Sequence, residues 1–372
     1  MSRPPDPNGA ETRPPAVVAT YRIASIPGDG IGVDVTTAAR AVLDQVAGQH
    51  GFALEWTEFD WSCRRYTATG QMMPDDGIEQ LRSHDAVFLG AVGFPGVPDH
   101  VSLWGLLIPI RRSFHQYANV RPVQLLAGVP SPLVGRGPDD IDIVVVRENS
   151  EGEYSLIGGR HGDGPDELAV QESVFTRRGV ERIARYAFEL AGERRRSVCS
   201  ATKSNGIVHT MPFWDEVVGG VAAEYPDVEY ESVHVDAMAA RMVLAPQRLD
   251  VVVGSNLFGD ILSDLAAAIA GSLGVAPSGN VDPSREHPSM FESVHGSAPD
   301  IAGQGIANPV AQILAGAMML EHLGEDAAAE AVRIAVRGVV GEGRHVTPDL
   351  GGSATTDQCA GAIAEHVPGP SS

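Results

Sequence analysis

Residues 256–264 read Asn256-Leu257-Phe258-Gly259-Asp260-Ile261-Leu262-Ser263-Asp264 and follow the β-branched run Leu249-Asp250-Val251-Val252-Val253, which indicates a buried strand. The Ala-rich segment that comes next predicts a helix, so we expect Asp260 and Asp264 near its start, four residues apart on one face. Capping and the helix dipole would account for one carboxylate. A hard divalent cation would account for both, and the two explanations stay open at this point.

The composition limits the classes of partner. The chain has 372 residues and a formal net charge of −21, and its alternating strand and helix patterns are typical of an α/β protein with two domains or one large one. Nucleic acids and anionic membranes require a basic surface, so neither is expected as a partner. An anionic substrate would need a local cluster of arginines and a metal to overcome the field of the protein.

The cysteines and the N-terminal residues indicate the compartment. Cys63, Cys199 and Cys359 are scattered and fit no metal-ligand spacing, which favours a reducing, cytoplasmic setting. Residues 1–20 are polar and proline-rich without an apolar signal core, and they predict a disordered lead-in. No apolar run reaches the roughly 20 residues that a membrane span needs.

A glycine-rich turn lies near the start of the chain. Strand-like residues 21–27 end in Gly28-Asp29-Gly30-Ile31-Gly32, and apolar residues at helical spacing follow. Val33 stands where a dinucleotide-binding fingerprint requires its third glycine. An ordinary Rossmann fold is therefore not expected.

Polar side chains stand at or just after the ends of several predicted strands. Arg147, Lys203 and Asp236 do so, as does the segment with Asp260, and Tyr154 lies on the loop after Arg147. In open α/β sheets ligands bind outside the carboxyl ends of the strands, so these residues are expected around one crevice. Solvated surface charges and a core-packing tyrosine are the ordinary alternatives.

Two further arginines lie in weakly charged, aromatic-containing sequence. Arg111 and Arg121 belong to residues 111–122, Arg-Arg-Ser-Phe-His-Gln-Tyr-Ala-Asn-Val-Arg-Pro, where an unpaired guanidinium would be costly. A substrate carboxylate could pair with each of them, and surface exposure is the alternative.

A long polar loop precedes the C-terminal helices. It reads His295-Gly296-Ser297-Ala298-Pro299-Asp300-Ile301-Ala302-Gly303-Gln304-Gly305-Ile306-Ala307-Asn308-Pro309 and ends in a predicted helix start, with Asn308 as cap and Pro309 as the first helical residue. Its small residues would let a cofactor approach the backbone closely. An ordinary surface loop is the alternative.

In their order along the chain, these motifs resemble the metal-dependent β-decarboxylating dehydrogenases, which include isocitrate, isopropylmalate, tartrate and D-malate dehydrogenases. The resemblance extends from Ile23 to about His366, and residues 97–105, 116–117 and 148–155 are most similar to the tartrate/D-malate branch. Isopropylmalate enzymes usually have an acidic residue where Trp104 stands. Leu107 matches an apolar position that those enzymes use beside the isopropyl group.

The resemblance implies an isopropylmalate-dehydrogenase-like two-domain α/β fold with central mixed sheets. The first, cofactor-binding domain would comprise residues 21–116 plus 271–372. The second, residues 117–270, would carry the dimer interface and an arm at about 152–175. The active site would lie in a cleft that closes on the ligand, and a homodimer with shared active sites is expected.

The implied reaction is NAD-dependent oxidation of a small 2-hydroxy diacid at C2 followed by β-decarboxylation, with D-malate giving pyruvate and CO2, and/or tartrate oxidation. Asp260 and Asp264, with Asp236 of the partner subunit, would bind Mg²⁺ or Mn²⁺. Lys203 of the partner subunit would be the general base, and Tyr154 would be the acid that protonates the enolate at C3.

The remaining implied site residues bind the substrate and the cofactor. Arg111, Arg121 and Arg147 would hold the carboxylates, with Leu107 beside the substrate. The adenosine site would be formed by His295, Gly296, Ser297, Ala298, Pro299, Asp300, Ile301 and Asn308. Asp300 stands where NAD users carry a carboxylate that binds both ribose hydroxyls and repels the 2′-phosphate of NADP.

Two alternatives remain beside this expectation. One is 3-isopropylmalate dehydrogenase of leucine biosynthesis, and the other is a catalytically inactive paralogue, which would be expected to lack at least one catalytic or metal-binding residue. All of these residues are present. The preferred diacid, the choice between Mg²⁺ and Mn²⁺, decarboxylation of tartrate, and a monovalent cation requirement are left open by the sequence.

Overall fold

One mixed sheet of ten strands organises residues 19–369, which are the part of the chain that the computed structural model describes. The strands in chain order, with β6 and β7 forming a separate hairpin, are β1 Ala19–Gly28, β2 Phe52–Glu58, β3 Ala86–Ala91, β4 Ala118–Gln124, β5 Asp142–Glu148, β6 Gly158–His161, β7 Leu168–Gln171, β8 Ser197–Thr202, β9 Glu229–His234, β10 Val251–Gly254, β11 Pro277–Val281 and β12 Ser289–Ser293. The lead-in predicted over residues 1–20 was wrong for its last two residues, because Ala19 and Thr20 belong to β1. Residues 1–18 lie outside the described part of the chain.

Helices cover both faces of this sheet. They are α1 Ile31–His50, α2 Cys63–Thr69, α3 Gly77–Leu81, α4 Asp99–Ser102, α5 Ile108–Ser113, α6 Arg177–Gly192, α7 Thr210–Ala222, α8 Val235–Leu244, α9 Asn256–Ile269, α10 Val310–His322, α11 Asp326–Glu342 and α12 Thr356–His366. Among the described residues, no helix combines the length and the apolar character needed to cross a lipid bilayer.

The strand order is β2-β1-β3-β12-β11-β4-β5-β10-β8-β9. The first four strands are parallel to one another, and so are β5, β10, β8 and β9. The three pairings between these groups are antiparallel, so the two groups run in opposite directions. The sheet is therefore mixed, as predicted, and differs from the doubly wound parallel sheet of an ordinary Rossmann fold.

The sheet is continuous across the predicted domain boundary. The five strands from β2 to β11 belong to residues 21–116 plus 271–372, apart from the first residues of β1, and the five from β4 to β9 belong to residues 117–270. Strands β11 and β4 pair through Gly279 with Val120 and through Asn280 with Asn119. The division into two domains stays a prediction.

Valine-rich strands lie in the centre of the second group. Strands β5 and β10 pair in parallel, and their valines 144–146 and 251–253 are buried. Helices α6 and α9 both pack on β5 and β10. Because both faces of these strands are covered, their sequence is continuously apolar instead of alternating.

The glycine-rich turn between β1 and α1 packs against other backbone. A Cβ on Gly30, where φ is +56°, would lie 2.0 Å from the carbonyl oxygen of Ser297. The N–H of Ile31 donates to that same carbonyl at 2.8 Å, and the N–H of Asp29 donates to Ala91 at 2.7 Å. The glycines thus let the turn support the loop 295–309, and these N–H groups are already used within the protein.

The hairpin of β6 and β7 projects from the second group of strands within the predicted arm. All eight of its strand residues are exposed. Leu156 and Ile157 before it and Leu168 and Val170 within it are exposed apolar side chains. An exposed apolar cluster of this kind is typical of an interaction surface.

Candidate active site

Helix α9 places the two aspartates beyond its own capping groups. The helix begins at Asn256, and Ser255 is its N-cap, with the Ser255 hydroxyl accepting a hydrogen bond of 3.3 Å from the N–H of Phe258. Asp260 and Asp264 therefore lie in the second and third turns, where the dipole effect has faded. Capping does not explain either carboxylate.

Buried arginines converge on these aspartates from two neighbouring strands. Arg147 on β5 donates from Nη1 to Oδ1 of Asp260. Arg121 on β4 has its Nη1 3.2 Å from Oδ1 of Asp260 and 3.4 Å from Oδ1 of Asp264. Arg147 is 2% exposed and Arg121 is 8% exposed. Both predicted arginines are thus buried at the predicted crevice, not solvated on the surface.

The orientation of Arg147 is set by Asn256 at the start of α9. The Asn256 Oδ1 atom accepts hydrogen bonds from Nε and Nη2 of Arg147 at 3.1 and 2.7 Å. The Asn256 amide in turn donates to the backbone carbonyl of Glu151 at 3.1 Å. The guanidinium is therefore held in one plane before any ligand binds.

Arg111 reaches the same cleft from α5. Its Nη2 donates to Oε1 of Glu292 at 2.9 Å, and that oxygen also accepts 2.6 Å from Asn280. Nε of Arg111 and Nε of Arg121 are buried and have no hydrogen-bond partner within residues 19–369. Unused donors on buried cations are suited to an anionic ligand.

The electrostatics of the cluster follow from burial and mutual charge. Burial and the charge of Arg121 together lower the pKa of Arg147 to about 10, against the opposing effect of Asp260. Burial would raise the pKa of Asp260, but Arg147 and Arg121 outweigh it and the pKa is lowered. Burial raises the pKa of Asp264, Arg121 offsets part of this effect, and the charge of Asp260 adds to it. Asp264 thus lacks a full counter-charge in this chain, and a cation would supply one.

These residues line a cleft of about 240 Å³. Its walls contain the three arginines, Tyr154, Asp260, Glu292, Leu103, Leu107, His295 and Gly296. A larger groove of about 620 Å³ lies on the opposite face of the same strands, lined by Val120, Val144 and Phe291. The alternation of side chains along each strand separates the two, and the titratable cluster belongs to the smaller cleft.

A wide helical turn over residues 103–107 sets the apolar wall. The N–H of Ile108 bonds to the carbonyl of Leu103, five residues earlier, and both Leu103 and Leu107 line the cleft. Trp104 is not part of that lining. Leu103 was missed, although its spacing from Leu107 was the available signal.

Tyr154 is held at the cleft by several contacts. Its hydroxyl donates to Oδ2 of Asp260 at 2.9 Å, and the Arg147 guanidinium lies 5.5 Å from its ring centre. The adjacent Glu153 accepts from the Ser255 hydroxyl at 2.7 Å and from the N–H of Leu257 at 3.0 Å. Burial and the charge of Asp260 raise the pKa of Tyr154, which keeps the phenol protonated.

Lys203 and Asp236 lie apart from this cluster. They follow β8 and β9 at the same edge of the sheet and form an ion pair of 2.8 Å. The hydrogen bond from Lys203 lowers the pKa of Asp236, whose side chain is 68% exposed. Among the described residues, no three acidic, histidine or cysteine side chains group into a metal site. Asp236 therefore does not join Asp260 and Asp264 within one chain.

Lys203 has a property that the motif search overlooked. It is the only lysine among the 27 basic residues of the sequence. Arginine keeps its charge in proteins and cannot act as a general base, whereas lysine can lose its proton. Among the lysine and arginine side chains of the sequence, Lys203 is therefore the one that can lose its proton.

The loop 295–309 presents open backbone beside the cleft. A Cβ on Gly296 would meet no atom within 4 Å, and Asp300 is exposed. Nε2 of His295 is buried without a partner in the described part of the chain, and burial lowers the pKa of His295, which favours the neutral ring. These features fit a polar, planar ligand such as an adenine nucleotide.

The helix after this loop starts one residue later than predicted. Pro309 occupies the cap position of α10, and Val310 is the first helical residue. The Asn308 side chain still accepts a hydrogen bond of 3.0 Å from the N–H of Val310, and it donates to Asp349 at 2.9 Å. Asn308 thus satisfies the helix start and fixes the end of the loop.

Comparison with known proteins agrees with this geometry. The family model described as isocitrate/isopropylmalate dehydrogenase matches residues 22–365. The chain is 54% identical over 360 residues to D-malate dehydrogenase (decarboxylating) from Escherichia coli (strain K12), covering 94% of this chain and 99% of that protein. It is 53% identical over 358 residues to tartrate dehydrogenase/decarboxylase from Pseudomonas putida, covering 94% and 98%.

A solved structure shows the same architecture. The crystal structure of isocitrate dehydrogenase from Methylococcus capsulatus superposes with a TM-score of 0.84 at 39% sequence identity, covering 93% of this chain and 99% of that one. The mixed sheet is therefore the architecture of those enzymes.

Proposed function

The chain belongs to the isocitrate/isopropylmalate dehydrogenase family, and we propose that it oxidises and β-decarboxylates a small 2-hydroxy diacid with NAD and a divalent metal. D-malate, converted to pyruvate and CO2, and/or tartrate are the proposed substrates. The main supporting observation is that three buried arginines line one cleft with Asp260 and Tyr154 in a chain of net charge −21. The names of the two relatives support the reaction class.

The arginines would hold the carboxylates of the substrate. Arg111 and Arg121 each have an unused buried Nε–H, and Arg147 is fixed by Asn256. A diacid brings two negative charges, and a divalent cation brings two positive ones. Binding both would leave the charge of the cleft unchanged, which limits the cost of desolvation.

Asp260 and Asp264, with Asp236 of the partner subunit, would hold Mg²⁺ or Mn²⁺, because carboxylate oxygens are the ligands that these cations prefer. Bound there, the cation would act as a Lewis acid on the C2 oxygen of the substrate. The raised pKa of Asp264 is consistent with a carboxylate that awaits a cation. We also propose a monovalent cation as an accessory requirement of the enzyme.

Two side chains would move protons. Lys203 of the partner subunit would accept the C2 hydroxyl proton, and bound NAD would supply the hydride acceptor. Loss of CO2 leaves its bonding electron pair on the C2–C3 unit as an enolate, and Tyr154 would transfer its hydroxyl proton to C3. The raised pKa of Tyr154 supports this assignment, because the acid must be protonated beforehand.

NAD would bind along the loop 295–309. His295, Gly296, Ser297, Ala298, Pro299, Asp300, Ile301 and Asn308 are the proposed contacts. The exposed Asp300 carboxylate would accept hydrogen bonds from the ribose hydroxyls and would repel the 2′-phosphate of NADP. We therefore propose that the enzyme prefers NAD to NADP.

A homodimer in the cytoplasm completes the proposal. Lys203 and Asp236 pair away from Asp260, so the catalytic set would be complete only when a second chain supplies them. The exposed apolar residues of the arm, such as Leu156 and Leu168, are suited to a subunit interface. All three cysteines are free, which agrees with the reducing compartment expected from the sequence.

The first experiment is NADH formation by the purified protein with Mn²⁺ and NAD, comparing D-malate, the tartrate isomers and 3-isopropylmalate, with isocitrate as control. Preference for D-malate or tartrate would support the proposal. Preference for 3-isopropylmalate would support the second candidate function, 3-isopropylmalate dehydrogenase, which the apolar wall of Leu103 and Leu107 favours. No NADH from any of these diacids would refute both and point to an inactive paralogue.

A further inference from the structure

Arg112 connects the two sides of the cleft. Its Nη2 donates a hydrogen bond of 3.0 Å to the backbone carbonyl of Tyr154. Its guanidinium carbon lies 5.2 Å from the centre of the Trp104 ring. Trp104 and Arg112 belong to the segment that carries Leu107, whereas Tyr154 follows β5 on the opposite side.

This contact holds the backbone end of Tyr154, while the phenol end is held by Asp260 at 2.9 Å. An arginine on an indole face is attracted by the ring and keeps its planar fork in a defined orientation. Trp104 therefore supports Arg112, and Arg112 supports Tyr154. The tryptophan acts beside the cleft without lining it.

We infer that Arg112 is a positioning residue for Tyr154, through which the Trp104 segment fixes the proton donor. The inference rests on the proposed function. In the reaction the O–H bond of Tyr154 breaks and the C3–H bond forms after CO2 has left, and the phenolate then regains a proton from water. The hydride has already reached NAD at that stage, so loss of Arg112 slows the protonation and spares hydride transfer.

The test compares Arg112→Gln with wild type, using the full-length protein with Mn²⁺, NAD and D-malate. The rate of NADH formation in the first turnover stays within about twofold of wild type. The steady-state kcat falls about tenfold, which corresponds to the effect of roughly one hydrogen bond on the activation barrier. The solvent deuterium isotope effect on kcat rises, because protonation at C3 limits the rate. A merely structural role would slow both phases together.

Arg82→Gln is the matched control. Arg82 is an exposed arginine 5.8 Å from the Phe114 ring and paired with Glu79 at 2.9 Å, and among the described residues it makes no hydrogen bond or ion pair with Tyr154. We expect this variant to keep both the first turnover and kcat.

Hydrogen exchange supplies a readout that does not need activity. Arg112→Gln raises amide exchange in residues 150–157, and Arg82→Gln does not. Trp104→Leu gives the same change, and the double variant adds little, because both residues act through one contact. Unchanged exchange, or a first turnover that falls in proportion to kcat, overturns the inference. Altered exchange without NADH from any diacid would instead refute the proposed function, and with it the proton-transfer role.

Discussion

The hydroxyl of Tyr154 donates to Oδ2 of Asp260 at 2.9 Å, while Oδ1 of the same carboxylate is paired with Arg147. The Asp260 carboxylate thus contacts both Tyr154, the proposed acid, and Arg147, one of the arginines proposed to hold the substrate carboxylates. The proposed metal would bind at this same carboxylate.

Removing the Tyr154 hydroxyl should separate oxidation from protonation. We expect Tyr154→Phe to lose about 10²- to 10³-fold in kcat, the usual contribution of a general acid. The ring remains under Arg147, so the melting temperature should change little. Rapid-mixing kinetics with D-malate should show NADH in the first turnover followed by a slow phase. An equal loss in the first turnover would contradict the role of Tyr154 as the late acid.

Lys203, the single lysine of the sequence, can be tested with a substitution that preserves its charge. Lys203→Arg preserves the charge and the possibility of pairing with Asp236, but removes the group that can accept a proton. We expect kcat/KM to fall about 10³-fold, with NAD binding unchanged in a calorimetric titration. An arginine variant with near wild-type activity would exclude Lys203 as the base.

Mixing two inactive variants tests whether the sites are shared. If Lys203 and Tyr154 act together across subunits, a mixed dimer of Lys203→Met and Tyr154→Phe has one intact site and one doubly altered site. Random pairing should then restore about a quarter of wild-type activity, since half of the dimers are mixed. If both residues acted within one chain, no mixed dimer would have an intact site and no activity would return.

The sequence predicted those parts of the molecule that depend on local pattern. Strand β10 and helix α9 were correct because the valine run and the Ala-rich segment have distinct periodicities. Asp260 and Arg147 were expected at the carboxyl edge of the sheet, and the structure brings them into contact.

Residues that act through distant partners were missed. Glu292 pairs with Arg111 across 181 positions, and Asn256 holds Arg147 across 109. Nothing in the local pattern around Glu292 or Asn256 indicates such a partner. Leu103 was missed as well, because the wide turn over 103–107 brings it to the cleft together with Leu107.

The titration of His322 is expected to lower the free energy of unfolding as the pH falls. Burial and the charge of Arg285 together lower the pKa of His322 to about 4, against the opposing effect of Asp282. The unfolded value is about 6.5, so the folded state binds the proton less well. This contribution is fully present above about pH 6.5 and is lost as the pH falls toward 4.

The variant His322→Phe keeps an aromatic ring near Phe291 and removes the titration. Between pH 7 and pH 4.5, wild type should lose about 2 to 3 kcal/mol more unfolding free energy than this variant. Urea unfolding at the two pH values measures the difference. His161→Gln, on the exposed hairpin, should behave like wild type. Equal pH dependence of wild type and His322→Phe would show that His322 is not the sensitive group.

Gly259 on α9 lies against the side chain of Arg147, so a substitution at Gly259 tests how closely Arg147 must be packed. A Cβ at this position would lie 2.6 Å from Cβ and 2.7 Å from Cγ of Arg147, so Gly259→Ala must displace the arginine from Asp260. We expect kcat/KM for the diacid to fall about 10- to 100-fold, the cost of one misplaced charged contact. Gly219 on α7 is the matched control, because a Cβ there meets nothing within 4 Å. Gly219→Ala should leave activity unchanged and add roughly 0.5–1 kcal/mol of stability, and similar kinetics in the two variants would show that Arg147 tolerates the shift.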